Sequence, residues 1–360
     1  MKKKPIRVLV VEDSTTVRKL LVAMLSETEE FEVVGEAGNG ADAVEAACRL
    51  TPDLITMDVH MPIMDGLDAT RQIMHEVPTP IVIVSNSISR SDVDAALNAT
   101  RAGALMVLAK PGSPDSPEFE LRRREFLDMA RAMAAVHVVR RWGGGGPSTI
   151  AKAARRESQV IRDGKRPPVK MIAIGTSTGG PAALQRIIED LPDKLPVPVV
   201  VVQHMAHGFL RGLSDWLSDS TRKRVVLAEA GGILLPGLIY VAPDDRHLGV
   251  NASGRVHLSD NAATNGFRPS ADHLFHSCAA AYGPGLVAVI LTGMGQDGVA
   301  GLHSAHAAGA HVIAQDEESS VVFGMAQVAV QAGVVDEVLP LDQIGRRLAS
   351  LVSPKEANGR

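Results

Sequence analysis

Short apolar runs alternate with segments of helical periodicity in two long blocks of this 360-residue sequence, and the alternation breaks around residues 121–167. Strands that alternate with helices are typical of parallel sheets with helices packed on both faces. We therefore expect a doubly wound α/β domain with a five-stranded parallel sheet over residues 1–120, and a second doubly wound α/β domain over residues 168–353. The runs that predict strands are Ile6–Val11, Val33–Val34, Leu54–Met57, Ile81–Val84 and Leu105–Leu108 in the first block, and Met171–Ile174, Val197–Val202, Ile239–Ala242, Leu286–Leu291 and His311–Ala314 in the second.

The segment 121–167 between the two blocks is basic, with 12 Lys or Arg against 4 Asp or Glu, a local excess of +8. Four consecutive glycines, Gly143 to Gly146, precede Pro147. We expect a last helix of the first domain over about Glu118–Val139, then a basic flexible linker, and a tail over 354–360. The positive charge fits either a solvated helix face and tether or a surface that docks an acidic partner.

The overall composition excludes several classes of protein. Lys and Arg total 37 and Asp and Glu total 41, a net charge of −4, so no overall positive charge favours a nucleic-acid partner. Cys48 and Cys278 are too few and too far apart for a disulfide framework or a thiolate metal cluster, which favours a reducing, cytoplasmic setting. The apolar run from Ile6 ends at Glu12 and is too short for a signal peptide or a membrane span, so we expect no insertion into a membrane.

Polar side chains follow four strands of the first predicted sheet, at the point where each strand ends. They are Glu12, Asp13, Asp58, Ser85 and Lys110. In an open parallel sheet the carboxyl ends of the strands meet at one edge, where ligands bind. Clustered carboxylates suit Mg²⁺, Asp58 can attack a phosphoryl donor, and Ser85 and Lys110 can hold the new phosphate oxygens. The alternative is that each residue only ends a strand or caps a helix.

These residues stand in motifs that resemble the receiver domain of two-component response regulators, over residues 5–115. The resemblance implies that Asp58 accepts a phosphoryl group from a histidine kinase. It also implies that Glu12, Asp13 and Asp58 bind Mg²⁺ together with the backbone carbonyl of His60. The motifs that carry it are Val10-Val11-Glu12-Asp13-Ser14, Met57-Asp58-Val59-His60-Met61-Pro62-Ile63-Met64-Asp65-Gly66 and Lys110-Pro111.

A glycine-rich turn follows the first strand of the second block and precedes a helical pattern. It reads Gly175-Thr176-Ser177-Thr178-Gly179-Gly180-Pro181. A Gly-x-Ser-x-Gly turn between a strand and a helix exposes a serine hydroxyl at the sheet edge, next to backbone N–H groups that can bind an oxyanion. A phosphate-binding turn is the alternative, but neither Gly-x-Gly-x-x-Gly nor Gly-Lys-Ser/Thr is present. Ser177 is therefore the candidate nucleophile.

A serine nucleophile needs a base and an orienting acid, and two later strand ends offer them. Gln203-His204-Met205 follows the second strand of this block, and Asp297 lies in the loop after the Leu286–Leu291 run. Ser177, His204 and Asp297 are thus expected on neighbouring loops, and a triad is recognised by geometry and role rather than by chain order. The pairs His273-x-x-His276 and His303-x-x-His306 could instead bind a metal, but neither has the Glu of the His-Glu-x-x-His zinc pattern.

The second block resembles the catalytic domain of the chemotaxis protein-glutamate methylesterases, the CheB family, over residues 168–353. The resemblance implies that Ser177 is the nucleophile, His204 the base and Asp297 the orienting acid. The motifs that carry it are Gly175–Pro181, Gln203-His204-Met205, Leu235-Pro236-Gly237, Tyr240-Val241-Ala242-Pro243, Phe267-Arg268-Pro269-Ser270, Ile290–Gly298, Ala314-Gln315-Asp316-Glu317 and Phe323-Gly324-Met325.

Together the two resemblances imply a phosphorylation-activated serine hydrolase that demethylates glutamate methyl esters on chemoreceptors, releases methanol and can also deamidate glutamines. Its implied partners are methyl-accepting chemoreceptors as substrate and a chemotaxis histidine kinase as phosphodonor, and we expect a monomer. Mg²⁺ is expected for phosphorylation of Asp58, and no cofactor for ester hydrolysis. The resemblance further implies that the unphosphorylated receiver covers the hydrolase site. The alternatives are a phosphorylation-dependent, receptor-binding adaptor with an inactive hydrolase domain, and a transcription regulator, for which no DNA-reading helix-turn-helix pattern follows residue 168.

Overall fold

The structure is a computed structural model in which the chain divides into two units, Met1–Gly143 and Gly144–Arg360. In each unit helices separate most of the successive strands of a parallel sheet, as the alternation of apolar runs predicts. Within the described residues, no helix is long and apolar enough to cross a lipid bilayer. The described residues are 4–85, 90–117, 119–136 and 167–353.

The first unit contains a five-stranded sheet in the order β2-β1-β3-β4-β5, and all its strand pairs are parallel. This confirms the predicted five-stranded α/β fold. The chain leaves β1 in one direction and returns to β3 on its other side, so the crevice for a ligand lies beyond the carboxyl ends of β1 and β3. The elements are β1 Ile6–Val11, α1 Thr15–Ser26, β2 Phe31–Ala37, α2 Gly40–Leu50, β3 Leu54–Met57, α3 Gly66–Glu76, β4 Ile81–Ser85, α4 Arg90–Ala102, β5 Met106–Ala109 and α5 Phe119–Ala134.

The second unit contains a seven-stranded sheet in the order β14-β13-β12-β6-β7-β9-β8, again with parallel pairs throughout. The central strands β6, β7 and β12 are buried along their whole length, because helices cover both faces of the sheet. The strand order reverses at β6, so its neighbours β12 and β7 flank the point where ligands bind in such sheets. The strands are β6 Met171–Thr176, β7 Val199–Gln203, β8 Arg224–Leu227, β9 Leu238–Val241, β10 His247–Val250, β11 Val256–Ser259, β12 Leu286–Ile290, β13 His311–Gln315 and β14 Glu337–Leu339.

The helices of the second unit cover both faces of its sheet, and an antiparallel hairpin of β10 and β11 lies outside that sheet. The hairpin immediately precedes the loop that leads into α8, which packs against both β10 and β6. The helices are α6 Gly180–Asp190, α7 Leu210–Thr221, α8 Ala271–Tyr282, α9 Val299–Ala307, α10 Met325–Gln331 and α11 Leu341–Val352.

The five apolar runs of the second block all form strands, but none of these runs predicts β8, β10, β11 or β14. The two outer strands of the sheet, β8 and β14, have four and three residues, and most of these are only partly buried. An edge strand has one neighbour and a partly solvated face, so it does not need the continuous apolar run that marks a central strand.

The basic segment after the first domain is described only in part. Helix α5 ends at Ala134, whereas the sequence predicts a helix to Val139. Residues 137–166, which include the glycine run and most of the predicted linker, lie outside the described residues, as does the tail over 354–360. The proposed domain boundaries in this segment therefore stay predictions.

Candidate active and phosphorylation sites

Three carboxylates of the first unit meet beyond the ends of β1 and β3. Glu12 and Asp58 are buried, Asp13 is exposed, and one carboxylate oxygen from each lies within 4.8 Å of the other two. The structure thus brings together the three side chains that the sequence predicts for a metal site. Oxygen ligands at this spacing fit a hard divalent cation such as Mg²⁺.

Lys110, which follows β5, reaches into the same cluster. Its Nζ lies 2.9 Å from Glu12 Oε2 and 3.0 Å from Asp58 Oδ2. Burial raises the pKa of both carboxyls, and the ammonium opposes that rise. Burial alone would lower the pKa of Lys110, but its hydrogen bond to Glu12 and the nearby negative charges raise it. The lysine is therefore held as a cation beside the Asp58 carboxylate.

Ser85 and His60 complete the set of residues predicted for this site. Ser85 is the last residue of β4, its side chain is buried, and its carbonyl accepts the Lys110 backbone N–H at 3.0 Å. It therefore lies at the edge from which Lys110 extends. The His60 imidazole points elsewhere, with Nε2 3.0 Å from Asp92 Oδ1, so only its backbone carbonyl remains a candidate ligand.

The loop after Asp58 folds back over the end of β3 and packs against the backbone of that aspartate. The Gly66 N–H donates to the Val59 carbonyl at 2.8 Å, and a Cβ on Gly66 would lie 2.0 Å from the Asp58 carbonyl oxygen. No side chain fits at Gly66, which explains why glycine ends the Met57–Gly66 motif.

Ser177 lies in the turn between β6 and α6, as the strand, turn and helix pattern predicts. Its N–H donates to the Thr292 carbonyl at 3.1 Å, and its own carbonyl accepts the Gly180 N–H at 2.8 Å. Gly179 has a φ of +77°, which suits glycine at the start of the helix. A Cβ on Gly293 would lie only 2.7 Å from Ser177 Cβ, so the loop after β12 contacts the serine directly.

His204 and Asp297 form a buried pair at the neighbouring strand ends. His204 Nε2 lies 2.8 Å from Asp297 Oδ2, and the two side chains are 5% and 0% exposed. The other ring nitrogen, Nδ1, is buried and has no hydrogen-bond partner among the described residues. In the familiar Ser-His-Asp triad the acid binds Nδ1 and the serine faces Nε2, so this imidazole is turned the other way. Nδ1 is the nitrogen left to take a serine proton.

Asp297 accepts hydrogen bonds at both of its oxygens. Ser270 Oγ donates to Oδ1 at 2.7 Å, and the Ala271 N–H, in the first turn of α8, donates to Oδ2 at 2.6 Å. Burial acts to raise the pKa of Asp297, but its hydrogen bonds to His204, Ser270 and Ala271 outweigh burial and lower the pKa. The carboxylate is thus held ionised and oriented toward the imidazole.

Gln203 and Phe267 also contact the site, although the sequence patterns predict no role for either residue. The buried Gln203 Nε2 donates to the Ser177 carbonyl at 2.8 Å and to the His204 carbonyl at 2.7 Å, so it joins the backbones of both loops. The Phe267 ring stacks on the His204 ring, with centroids 4.0 Å apart. Both stand inside motifs that carried the family resemblance, but a motif alone does not say which of its side chains reach the site.

The first of the two histidine pairs considered as metal ligands, His273 and His276, makes other contacts. The His273 ring stacks on the buried His247 ring at a centroid distance of 4.8 Å, and His276 Nδ1 lies 2.8 Å from Ser304 Oγ. Within the described residues, the only group of three His, Cys, Asp or Glu side chains that are close enough to hold one ion is Glu12, Asp13 and Asp58.

Comparisons with known proteins match both units and nearly the whole chain. The family model "CheB methylesterase" matches residues 172–348, and the model "Response regulator receiver domain" matches residues 8–117. A Myxococcus xanthus protein named protein-glutamate methylesterase/protein-glutamine glutaminase 4 is 50% identical over 97% of this chain and 98% of its own length. An Anaeromyxobacter dehalogenans protein of the same name, numbered 3, is 48% identical over 96% of this chain and 98% of its own length. The crystal structure of the Thermotoga maritima CheB methylesterase catalytic domain is 41% identical, covers 52% of this chain and 100% of that chain, and has a TM-score of 0.50.

Proposed function

The chain belongs to the CheB protein-glutamate methylesterases that carry a response-regulator receiver domain, and from this membership we propose how its two sites act. It is a phosphorylation-regulated hydrolase that demethylates glutamate methyl esters and deamidates glutamines. Its substrates are chemoreceptors, and its phosphodonor is a histidine kinase. The buried His204–Asp297 pair at 2.8 Å lies at the end of the strand next to that of Ser177, and His204 Nδ1 has no hydrogen-bond partner among the described residues; this is the observation that best supports the chemistry.

In the proposed acylation step, His204 Nδ1 takes the proton of Ser177 Oγ as that oxygen attacks the ester carbonyl. A carbon–oxygen bond to Ser177 forms, and the carbonyl electrons move onto the oxygen. The tetrahedral intermediate then collapses, the bond to the methoxy group breaks, and the His204 proton leaves with methanol. For a glutamine side chain the same steps release ammonia.

Backbone N–H groups of Thr178 and Met294 are the proposed donors to the developing oxyanion. Thr178 directly follows the nucleophile, and Met294 directly follows Gly293, where an added Cβ would lie 2.7 Å from Ser177 Cβ. Among the described residues neither N–H donates a hydrogen bond, so both remain available for a charge that appears only during the reaction. In deacylation, water attacks the acyl carbon while His204 accepts a proton from the water. The bond between that carbon and Ser177 Oγ then breaks, His204 returns the proton to the serine oxygen, and the glutamate side chain is released.

Receiver domains are phosphorylated in a Mg²⁺-dependent reaction, and the carboxylates of this chain fit that cation. We propose that Glu12, Asp13 and Asp58 hold it with the His60 carbonyl, since the three side chains offer oxygens within 4.8 Å of one another. When bound, Mg²⁺ would neutralise phosphate charge. Asp58 supplies the oxygen that accepts the phosphoryl group, while Lys110 and, we propose, Ser85 bind the new phosphate oxygens.

The receptor-binding adaptor with an inactive hydrolase domain is the rival function. It would leave Ser177, His204 and Asp297 unaligned, whereas the geometry of the buried pair favours a working triad. The monomeric state, the cytoplasmic location and the need for no cofactor in hydrolysis stay predictions.

Methanol and ammonia release separate the two functions. We expect the full-length protein to release methanol from a receptor with methylated glutamates, and ammonia from the same receptor with glutamines at those positions. Gas chromatography and an enzyme-coupled ammonia assay measure the two products. A protein that binds the receptor but releases neither product, with or without a phosphodonor, would be the adaptor instead.

A further inference from the structure

The segment Phe267-Arg268-Pro269-Ser270 touches two members of the proposed triad. The Phe267 ring lies nearly parallel to the His204 ring, with an angle of 6° between planes and 4.0 Å between centroids. Parallel stacking at this distance restricts rotation of the imidazole out of its plane and keeps water from that face. Phe267 therefore acts on the ring whose Nδ1 must meet Ser177.

The other end of the same segment holds Asp297. Ser270, which is fully buried, donates its hydroxyl to Asp297 Oδ1 at 2.7 Å and accepts the His273 N–H as the N-cap of α8. The Asp272 N–H also points to Oδ1, at 3.3 Å. A hydrogen bond from a hydroxyl to a charged carboxylate is stronger than a hydrogen bond between two neutral groups. Ser270 therefore fixes the direction in which the Asp297 carboxylate faces the imidazole.

A tight turn fixes the approach of Phe267. Thr264 and Phe267 exchange two backbone hydrogen bonds, of 3.0 and 2.9 Å, across Asn265 and Gly266. Asn265 and Gly266 have φ values of +53° and +85°, and two positive values in succession are typical of the Asn-Gly hairpin turn. Asn265 Nδ2 also donates to Asp272 Oδ2 at 2.9 Å, so the turn is joined to α8.

We propose that this segment is the positioning element of the triad. Phe267 holds the plane of His204 and Ser270 holds Asp297, and together they keep the imidazole in the orientation that leaves Nδ1 for the serine. Neither is a catalytic residue, because each acts through a triad member. The inference rests on the proposed function, since it takes Ser177 as the nucleophile.

Reaction with phenylmethylsulfonyl fluoride tests the alignment of Ser177 and His204 without requiring the protein to bind a receptor. Ser177 Oγ forms a bond to the sulfonyl sulfur, fluoride leaves, and the serine proton passes to His204, so the rate reports how well the pair is aligned. On the full-length protein we expect Phe267→Leu to lower this rate and kcat by about 3- to 10-fold, and Phe267→Tyr to restore both. Ser270→Ala should lower them by about 10- to 100-fold.

A matched pair of glycine variants tests whether the turn itself matters. Gly266 and Gly231 have φ values of +85° and +76°, and an added Cβ on either would meet no atom within 4 Å. Both alanine variants strain a turn to the same degree, but only Gly266→Ala disturbs the turn that presents Phe267. We expect the sulfonylation rate to fall in Gly266→Ala and to stay at the wild-type value in Gly231→Ala.

The outcomes separate this proposal from the proposed function. If Phe267→Leu is sulfonylated at the wild-type rate, or has a raised KM with an unchanged kcat, the positioning role of Phe267 would be overturned. Such a result would indicate that Phe267 contacts the receptor instead. An equal fall of the sulfonylation rate in the two glycine variants would also contradict the proposal, because it would indicate a general loss of stability. If the wild-type protein is not sulfonylated at Ser177, as read by peptide mass spectrometry, the nucleophile assignment itself fails.

Discussion

Ser177→Ala is expected to lower methanol release by about three to six orders of magnitude, because loss of a triad nucleophile removes the covalent route and leaves only binding and oxyanion stabilisation. Initial rates with a methylated receptor measure the effect. Ser177 is half-buried, and its turn is held by backbone hydrogen bonds between Ser177 and both Thr292 and Gly180. Alanine keeps those bonds, so the thermal unfolding curve and receptor binding should not change.

Ser253→Ala is the matched control for this variant. Ser253 is an exposed serine in the turn between β10 and β11, where its hydroxyl donates to Asn251 Oδ1, and its loss should leave methanol release intact. If Ser177→Ala keeps a tenth of the wild-type rate, another group is the nucleophile.

Asp297→Asn is expected to reduce the rate by about 10⁴-fold, the loss seen when the acid of a Ser-His-Asp triad becomes an amide. In the proposed mechanism the carboxylate accepts a hydrogen bond from the His204 Nε2–H, so the proton of the neutral ring stays on Nε2 and Nδ1 is able to act as the base. An amide NH₂ at this position would instead donate to Nε2. The proton would then sit on Nδ1, where it blocks transfer from Ser177.

Asp336→Asn provides the control for an aspartate that contacts a histidine, although Asp336 is only partly buried. Asp336 Oδ2 lies 3.2 Å from His311 Nδ1 in the same unit, but neither residue belongs to the proposed site. We expect methanol release near the wild-type rate in this variant. The ¹⁵N chemical shifts of the His204 imidazole should show a protonated Nε2 in the wild type and a protonated Nδ1 in Asp297→Asn. A change of rate without this change of tautomer would contradict the proposed role of Asp297.

The sheets were largely predictable from the sequence because their central strands are buried on both faces. Strands such as β6 and β12 need uninterrupted apolar runs, and such runs are readable without any knowledge of the fold. The edge strand β14 is partly solvated and joined to β13 through backbone pairing. Its position depends on tertiary contacts, which a local pattern does not record.

The same limit applies to the candidate sites. The rule that parallel strands end at one edge of a sheet predicts that Ser177, His204 and Asp297 lie on neighbouring loops. It could not say which imidazole nitrogen faces Asp297, since that depends on a side-chain rotation. It also could not assign a role to Phe267, whose contact with His204 spans 63 positions of sequence and depends on the turn at Asn265.

The central claim is that phosphorylation of Asp58 controls hydrolysis at Ser177, and one measurement tests it most directly. Methanol release by the full-length protein is followed before and after addition of acetyl phosphate and Mg²⁺, beside Asp58→Asn and a sample with chelator. Because coupling between two sites is typically modest, we expect activation of about 5- to 150-fold in the wild type. Neither Asp58→Asn nor the chelated sample should respond. A wild-type rate that does not change on phosphorylation, or an equal rise in Asp58→Asn, would contradict the claim.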